Sequence, residues 1–87
     1  MLELYQFEEC PHCVPVRKKL SELALDYICR NAPHGRPDKD TPLIALSGST
    51  KVPFLLDPDK GVYLKWDEDI VGYLEREYAE EAGRKQV

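Results

Sequence analysis

The sequence predicts an α/β fold, a single three-layer domain of strands and helices. Three observations lead to this prediction. Strand-like and helix-like segments follow one another in the order β-α-β-α-β-β-α. The chain has 87 residues, which is enough for one domain with its own core and too few for two. Its residues are 43% hydrophobic and 32% charged, a composition typical of ordinary globular proteins.

The first three elements form a β-α-β unit. Residues 2–7, LELYQF, are rich in β-forming side chains and predict a strand. Apolar residues then recur at helical spacing from Cys13 onward, in CVPVRKKLSELAL. Proline fits only the first helical turn, so Pro15 predicts that this helix begins at His12 or Cys13. Residues 26–30, DYICR, predict a second strand, which runs parallel to the first.

A loop and a short helix are predicted next. Residues 31–40 carry prolines and a glycine and indicate a loop. Residues 41–48 predict a short helix, with Thr41 as its N-cap, Pro42 at the first position and Gly48 as its stop signal.

The remaining segments predict a hairpin and a terminal helix. VPFLL and VYLKW flank the turn signal DPDKG, which predicts two antiparallel strands. Asp67 is predicted to cap the last helix, whose apolar stripe faces the core. We therefore predict one domain over residues 1–82 and a polar C-terminal tail over residues 83–87.

Charge and hydropathy exclude some partners. The formal net charge of −4 would repel a nucleic acid over most of the surface. MLELYQF lacks the features of a secretory signal, and no apolar run approaches the roughly 18 residues of a membrane span. We expect a cytoplasmic monomer without a nucleic-acid or membrane partner.

The stretch EECPHC carries the strongest chemical signal. Cys10 and Cys13 lie about one helical turn apart, so their sulfurs can form and break a disulfide with little backbone movement. Free N–H groups at the start of a helix stabilise a thiolate. We expect Cys10 to be the exposed nucleophile and Cys13 the resolving thiol. His12 either contributes positive charge beside Cys10 or is an ordinary solvated side chain.

A metal site is the alternative interpretation of the same cysteines. Cys10, Cys13, Cys29 and His34 have a spacing that formally resembles a three-cysteine, one-histidine zinc site. Against it, the chain has enough strands and amphipathic helices to form a core without metal. Cys29 is also explained as a small apolar residue of a strand.

Three motifs in order, LYQFEECPHC, KVPFLLD and WDEDI, resemble the glutaredoxin family and the N-terminal domain of glutathione transferases. The resemblance covers roughly residues 1–80. It implies a thioredoxin-like fold with a four-stranded mixed sheet in the order β2-β1-β3-β4 and helices on both faces. It also implies a glutathione site. In that site Pro53 is cis, the backbone of Val52 pairs with the cysteinyl part of glutathione, and Asp67 and Glu68 bind its γ-glutamyl end.

The sequence departs from the family pattern in three places. Phe7 stands where many glutaredoxins have a lysine that receives a glutathione carboxylate, and Lys51 or Arg17 could replace that cation. The dipeptide between the cysteines is Pro-His instead of the usual Pro-Tyr. Trp66 and Asp67 stand where transferases usually have Glu-Ser.

The sequence therefore predicts a glutathione-dependent dithiol oxidoreductase that reduces protein or glutathione mixed disulfides. No metal or organic redox cofactor is implied, and glutathione is the expected reductant and co-substrate. A glutathione transferase is less well supported, because the all-helical second domain that would supply its electrophile pocket is not expected here. Two further alternatives are a non-catalytic binding module around Val52, Pro53 and Trp66, and a metal or iron-sulfur site that uses Cys10.

Overall fold

The computed structural model describes residues 1–85, with side chains described as far as residue 79. Its elements follow the predicted order. They are β1 (Leu2–Gln6), α1 (Val14–Glu22), β2 (Tyr27–Asn31), α2 (Pro37–Ser47), β3 (Phe54–Asp57), β4 (Val62–Leu64) and α3 (Asp67–Lys85). Among the described residues, no helix is long and apolar enough to cross a membrane.

The four strands form one mixed sheet in the order β2-β1-β3-β4. β1 runs parallel to β2, as the β-α-β unit requires, and antiparallel to β3. β3 and β4 form the predicted hairpin. The fold class and strand order expected from the sequence are thus confirmed.

Helices cover both faces of this sheet. Side chains alternate along β3, so Leu55 faces one side while Phe54 and Leu56 face the other. The larger core joins β1 and β3 to α1 and α3, and its buried members are Leu2, Leu4, Val16, Leu20, Leu23, Leu55, Ile70, Tyr73 and Leu74. The smaller core lies under α2 and consists of Ala32, Leu43, Phe54 and Leu56. These are the three predicted layers.

The predicted start of α2 is wrong. The helix begins at Pro37, inside the predicted 31–40 loop, and Pro42 lies within it instead of at its first position. The carbonyl of Arg36 accepts hydrogen bonds from the N–H groups of Lys39 and Asp40 at 2.9 and 2.8 Å, which begins the helix there. Acidic side chains in this first turn favour that start, because they lie at the positive end of the helix dipole.

The predicted end of α2 is confirmed. Gly48 adopts a left-handed conformation with φ of 82°, and its N–H donates to the carbonyl of Ile44 at 2.8 Å. Glycine suits this position because it has no Cβ to oppose a positive φ.

The predicted cap of the last helix is wrong by one residue: the helix begins at Asp67 itself. The N–H of Ile70 donates to the carbonyl of Trp66 at 2.8 Å, so Asp67 lies in the first turn and is not the N-cap. Its carboxylate still lies at the positive end of the helix dipole. α3 continues to Lys85, into the predicted 83–87 tail, and the rest of that tail lies outside the described residues.

A buried carboxylate ties β3 to α3. Asp57, 1% exposed, accepts hydrogen bonds from the hydroxyls of Tyr73 at 2.7 Å and Tyr78 at 2.5 Å. Burial and the bond to Asp57 raise the pKa of Tyr73 above its ordinary value, so this phenol remains a donor throughout the neutral range. The contact joins the end of the hairpin strand to the middle of the last helix.

Candidate active site

The two cysteines lie in the turn that connects β1 to α1. Between them the chain turns tightly: the N–H of Cys10 donates to the carbonyl of Phe7, and the N–H of Cys13 to the carbonyl of Cys10, each at 3.2 Å. α1 then begins at Val14 with Cys13 as its N-cap residue, slightly later than predicted, and Pro15 lies in its first turn. Both thiols are therefore held at the positive end of a helix.

The prediction that Cys10 is exposed is wrong. Cys10 is 4% exposed and Cys13 has no exposed surface. The reason is the tight turn, in which the flanking Glu8, Glu9 and His12 take the exposed positions while both cysteines face the interior.

The two thiols are in direct contact. Burial, and after it the hydrogen bond with Cys10, raise the pKa of the Cys13 thiol to about 12. The backbone of Phe7 and the charge of Arg17 act in the opposite direction and are outweighed. Cys13 is therefore protonated at neutral pH, as expected of a resolving thiol that waits for a mixed disulfide.

Alkylation should distinguish the three cysteines. A thiol with a pKa of about 12 is ionised in only about one molecule in 10⁴ at pH 8. We expect iodoacetamide at pH 8 to modify exposed Cys29 first, Cys10 more slowly, and Cys13 at least about a hundredfold more slowly than Cys29. Peptide mapping by mass spectrometry measures the three rates. Urea-unfolded protein is the control, in which all three rates should converge, and rapid labelling of folded Cys13 would contradict this assignment.

A cleft of about 340 Å³ opens beside the cysteine turn. His12 lines it from the turn, Val52 and Pro53 from the segment before β3, and Trp66 and Asp67 from the start of α3. The Val52–Pro53 peptide bond is cis, as the family resemblance implied. We call this the cis-proline cleft.

The predicted glutathione-binding residues do not all meet in this cleft. Val52, Pro53 and Asp67 line it, whereas Glu68 lines a separate depression of about 400 Å³ between α1 and α3, which Asp67 also borders. The carboxylate of Asp67 lies 3.6 Å from Nδ1 of His12, which links the cysteine turn to α3.

Two further residues line the cleft: His34, which the sequence suggested only as a zinc ligand, and Lys65, which was not singled out from the sequence. The rings of His34 and Phe7 pack edge to face, with centroids 5.2 Å apart. Phe7, which stands where many glutaredoxins have a lysine, thus makes an aromatic contact there. Lys65 was predicted inside the strand VYLKW, whereas β4 ends at Leu64, and the sequence did not indicate which way the side chain of Lys65 points.

The two candidate replacement cations have different environments. Lys51 lines the cleft, and its Nζ lies 5.7 Å from the ring centroid of Trp66. Arg17 is engaged elsewhere: its Nη1 donates to Oε1 of buried Gln6 at 2.6 Å, and Gln6 in turn donates to Asn31 at 2.7 Å. Of these two candidates, Lys51 is the one placed to meet a carboxylate in the cleft.

The four residues of the hypothetical zinc site do not come together. Cys29 lies exposed on β2, where its sulfur accepts a hydrogen bond from Nε2 of Gln6 at 3.2 Å. Within the described part of the chain, no three His, Cys, Asp or Glu side chains are grouped closely enough to hold a metal ion.

The family model described as "Glutathione S-transferase, N-terminal domain" matches residues 4–82. No match was found among curated protein sequences. Similar solved structures include Glutathione Transferase E6 from Drosophila melanogaster, with 26% sequence identity and a TM-score of 0.78, covering 90% of this chain and 35% of that one.

Two other similar structures contain glutathione. Glutaredoxin 2 from Salmonella typhimurium in complex with glutathione is 24% identical, with a TM-score of 0.75, over 86% of this chain and 33% of that one. A glutathione transferase homolog from sulfitobacter with bound glutathione is 24% identical, with a TM-score of 0.75, over 95% of this chain and 39% of that one. The chain thus spans between a third and two fifths of the length of these proteins, and it shares the thioredoxin-like fold of their matching parts.

Proposed function

Since this chain belongs to the family of glutathione S-transferase N-terminal domains, we propose that it is a glutathione-dependent thiol-disulfide oxidoreductase. Its substrates are protein disulfides and mixed disulfides of proteins with glutathione. The observation that carries the proposal is the contact between the Cys10 and Cys13 thiols at the start of α1, beside a cleft that contains cis Pro53.

The reaction begins at Cys10. The thiolate of Cys10 attacks one sulfur of the substrate disulfide, forms a mixed disulfide with it, and releases the other sulfur as a thiolate that takes up a proton. Cys13 then transfers its proton to the departing sulfur and attacks Cys10, which forms the Cys10–Cys13 disulfide and releases the reduced substrate. Two glutathione molecules reduce this disulfide and leave as glutathione disulfide.

The raised pKa of Cys13 suits the second step. At neutral pH a protonated Cys13 does not compete with Cys10 for substrate. Once Cys10 is in a mixed disulfide, its sulfur can no longer share a proton with Cys13, so one of the contacts that raise the pKa is removed. The attack by Cys13 becomes easier only after the substrate is bound covalently.

The cleft supports binding of glutathione next to Cys10. The free backbone of Val52 beside a cis proline can pair with the cysteinyl part, and the carboxylates of Asp67 and Glu68 attract the γ-glutamyl ammonium. Lys51 is the cation available for a glutathione carboxylate, in place of the lysine that Phe7 replaces. A glutathione ammonium at Asp67 would compete with His12 for this carboxylate.

Two other functions are each favoured by one observation. Burial of both cysteines favours a binding module in which the thiols are idle. The transferase family model favours conjugation of glutathione to an electrophile. In a conjugation reaction glutathione is consumed one molecule per product and no glutathione disulfide forms, which separates it from disulfide reduction.

Wild-type protein tests the proposal directly. A glutathione mixed disulfide of a small thiol is supplied with glutathione, glutathione reductase and NADPH, and NADPH oxidation is followed. A parallel reaction contains thioredoxin reductase as the only reductant. We expect turnover with glutathione and little with thioredoxin reductase. Glutathione conjugation of an aromatic chloride without disulfide reduction would instead support a transferase, and inactivity in all three assays would support the binding module.

A further inference from the structure

A second depression adjoins the cis-proline cleft. Its volume is about 190 Å³, and Ser49, Lys51, Lys65 and Trp66 line it. The last three of these residues also line the cleft, so the two cavities share one wall. We call Lys51, Lys65 and Trp66 the shelf. Of the residues that the proposed glutathione site uses, only Lys51 borders the second depression, so its far side at Ser49 and Lys65 offers room for another group.

The shelf carries two lysine ammonium groups that form no ion pair with the described side chains, and the acidic first turn of α3 adjoins it at Trp66. The chain has a net charge of −4, and other cations form ion pairs, such as Lys19 with Glu75 and Arg30 with Glu3. Among the described side chains, no ion pair includes Lys51 or Lys65. The one carboxylate in the cleft, that of Asp67, lies beside His12.

The aromatic member of the shelf is unusually exposed. Trp66, the only tryptophan of the chain, is 57% exposed despite its large apolar ring. Exposed aromatic rings next to cations are typical of the centres of binding surfaces, because they offer a large apolar area at a small cost in conformational entropy. Lys51, positioned over the ring, also keeps an ammonium beside this apolar surface.

We propose that the shelf binds an acidic segment of the protein substrate, next to the disulfide that Cys10 attacks. This inference rests on the proposed oxidoreductase function and adds its substrate class. Carboxylates flanking the substrate cysteine pair with Lys51 and Lys65, while an apolar neighbour lies on Trp66. The charge of the shelf is complementary to such a segment, and its place beside cis Pro53 aligns the segment with the cysteine turn.

Direct binding gives the first test. Trp66 is a fluorescent reporter within the shelf, and its signal does not depend on turnover. Cysteine-free peptides that differ only in two flanking residues, Glu-Glu, Gln-Gln or Lys-Lys, are titrated into the full chain. We expect the Glu-Glu peptide to reach half of its effect on Trp66 emission at about a tenfold lower concentration than the Lys-Lys peptide. This difference should largely disappear in 0.5 M salt. Equal responses to Glu-Glu and Lys-Lys would overturn the proposal, as would an equal response to an oligonucleotide.

Reduction kinetics give the second test. The same three sequences are made as peptides with an internal disulfide, and kcat/KM is measured in the glutathione-coupled assay. We expect the Glu-Glu peptide to be reduced about tenfold faster than Lys-Lys by wild type, and K65Q to lower this ratio about threefold. K39Q removes the same charge from exposed Lys39 on α2, outside both cavities, and should leave the ratio unchanged.

The outcomes separate this inference from the function on which it rests. Failure to reduce any peptide contradicts the oxidoreductase itself. Equal reduction of all three peptides contradicts only the acidic-segment proposal. If K65Q instead raises the KM for glutathione equally with every peptide, Lys65 belongs to the glutathione site together with Lys51 and the proposal is overturned.

Discussion

Replacing Cys10 by serine should lower glutathione-coupled disulfide reduction by at least about a thousandfold. A serine hydroxyl is ionised far less than a thiol at neutral pH, and it cannot form a disulfide with the substrate. Cys10 is the only one of the two active-site cysteines with exposed surface, so Cys13 cannot take over the attack. The measurement is kcat/KM for a glutathione mixed disulfide, followed by NADPH oxidation with glutathione reductase.

Cys13→Ser should separate two kinds of substrate. Glutathione can itself release glutathione from Cys10, so we expect Cys13→Ser to keep a substantial part of its activity on glutathione mixed disulfides. Reduction of an internal protein disulfide needs the resolving thiol and should fall by about a hundredfold or more. Cys29→Ser is the matched control, because Cys29 is exposed on β2 and contacts neither active-site cysteine. If Cys10→Ser retains wild-type activity, the dithiol mechanism is wrong and a binding module becomes the better interpretation.

Asp57→Ala should have the largest effect on stability, a loss of about 3 kcal/mol in the free energy of unfolding. The substitution removes a buried acceptor of two hydrogen bonds and leaves the hydroxyl of Tyr73, which is 6% exposed, without that partner. Hydrogen bonds to a charged group each contribute about 1.5–3 kcal/mol, part of which is offset because the carboxylate no longer has to be desolvated. Urea denaturation followed by circular dichroism measures the change.

Asp59→Ala is the control for this prediction. Asp59 lies in the same hairpin turn, but its side chain is 78% exposed and pairs with the exposed N-terminal amine, so we expect less than about 0.5 kcal/mol. Tyr73→Phe removes one of the two donors while keeping the ring, and it should cost about 1–1.5 kcal/mol. Equal effects of Asp57→Ala and Asp59→Ala would show that the buried contact between β3 and α3 contributes little.

Local patterns sufficed for most of the fold. Alternating and helical periodicities are set by neighbouring residues, so the order of elements, the hairpin and the stop at Gly48 were all correct. The start of α2 was not, because the signal at Thr41 and Pro42 competed with an equally good start at Pro37. Several helix-start signals lie in one segment, and Asp38 and Asp40 in the first turn favour the earlier one, because they lie at the positive end of the helix dipole.

Exposure of the active-site thiols depended on more than the local pattern. The sequence placed Cys10 and Cys13 correctly at the start of a helix, but it gave no measure of how closely the turn folds against the core. The raised pKa of Cys13 results from that burial and from contact with Cys10, and both are properties of the folded chain.

The sequence by itself determined the fold class and the pair of thiols at the start of a helix, and its family resemblance implied the strand order and cis Pro53. The fold class and the thiol pair depend on residue type and short spacing, which act within one turn or one strand. Only the tertiary structure decided that Cys10 is buried, that Asp57 joins β3 to α3, and that Lys51 and Lys65 meet at Trp66. Those contacts join residues from separate elements, and their distances follow from how the helices and strands pack.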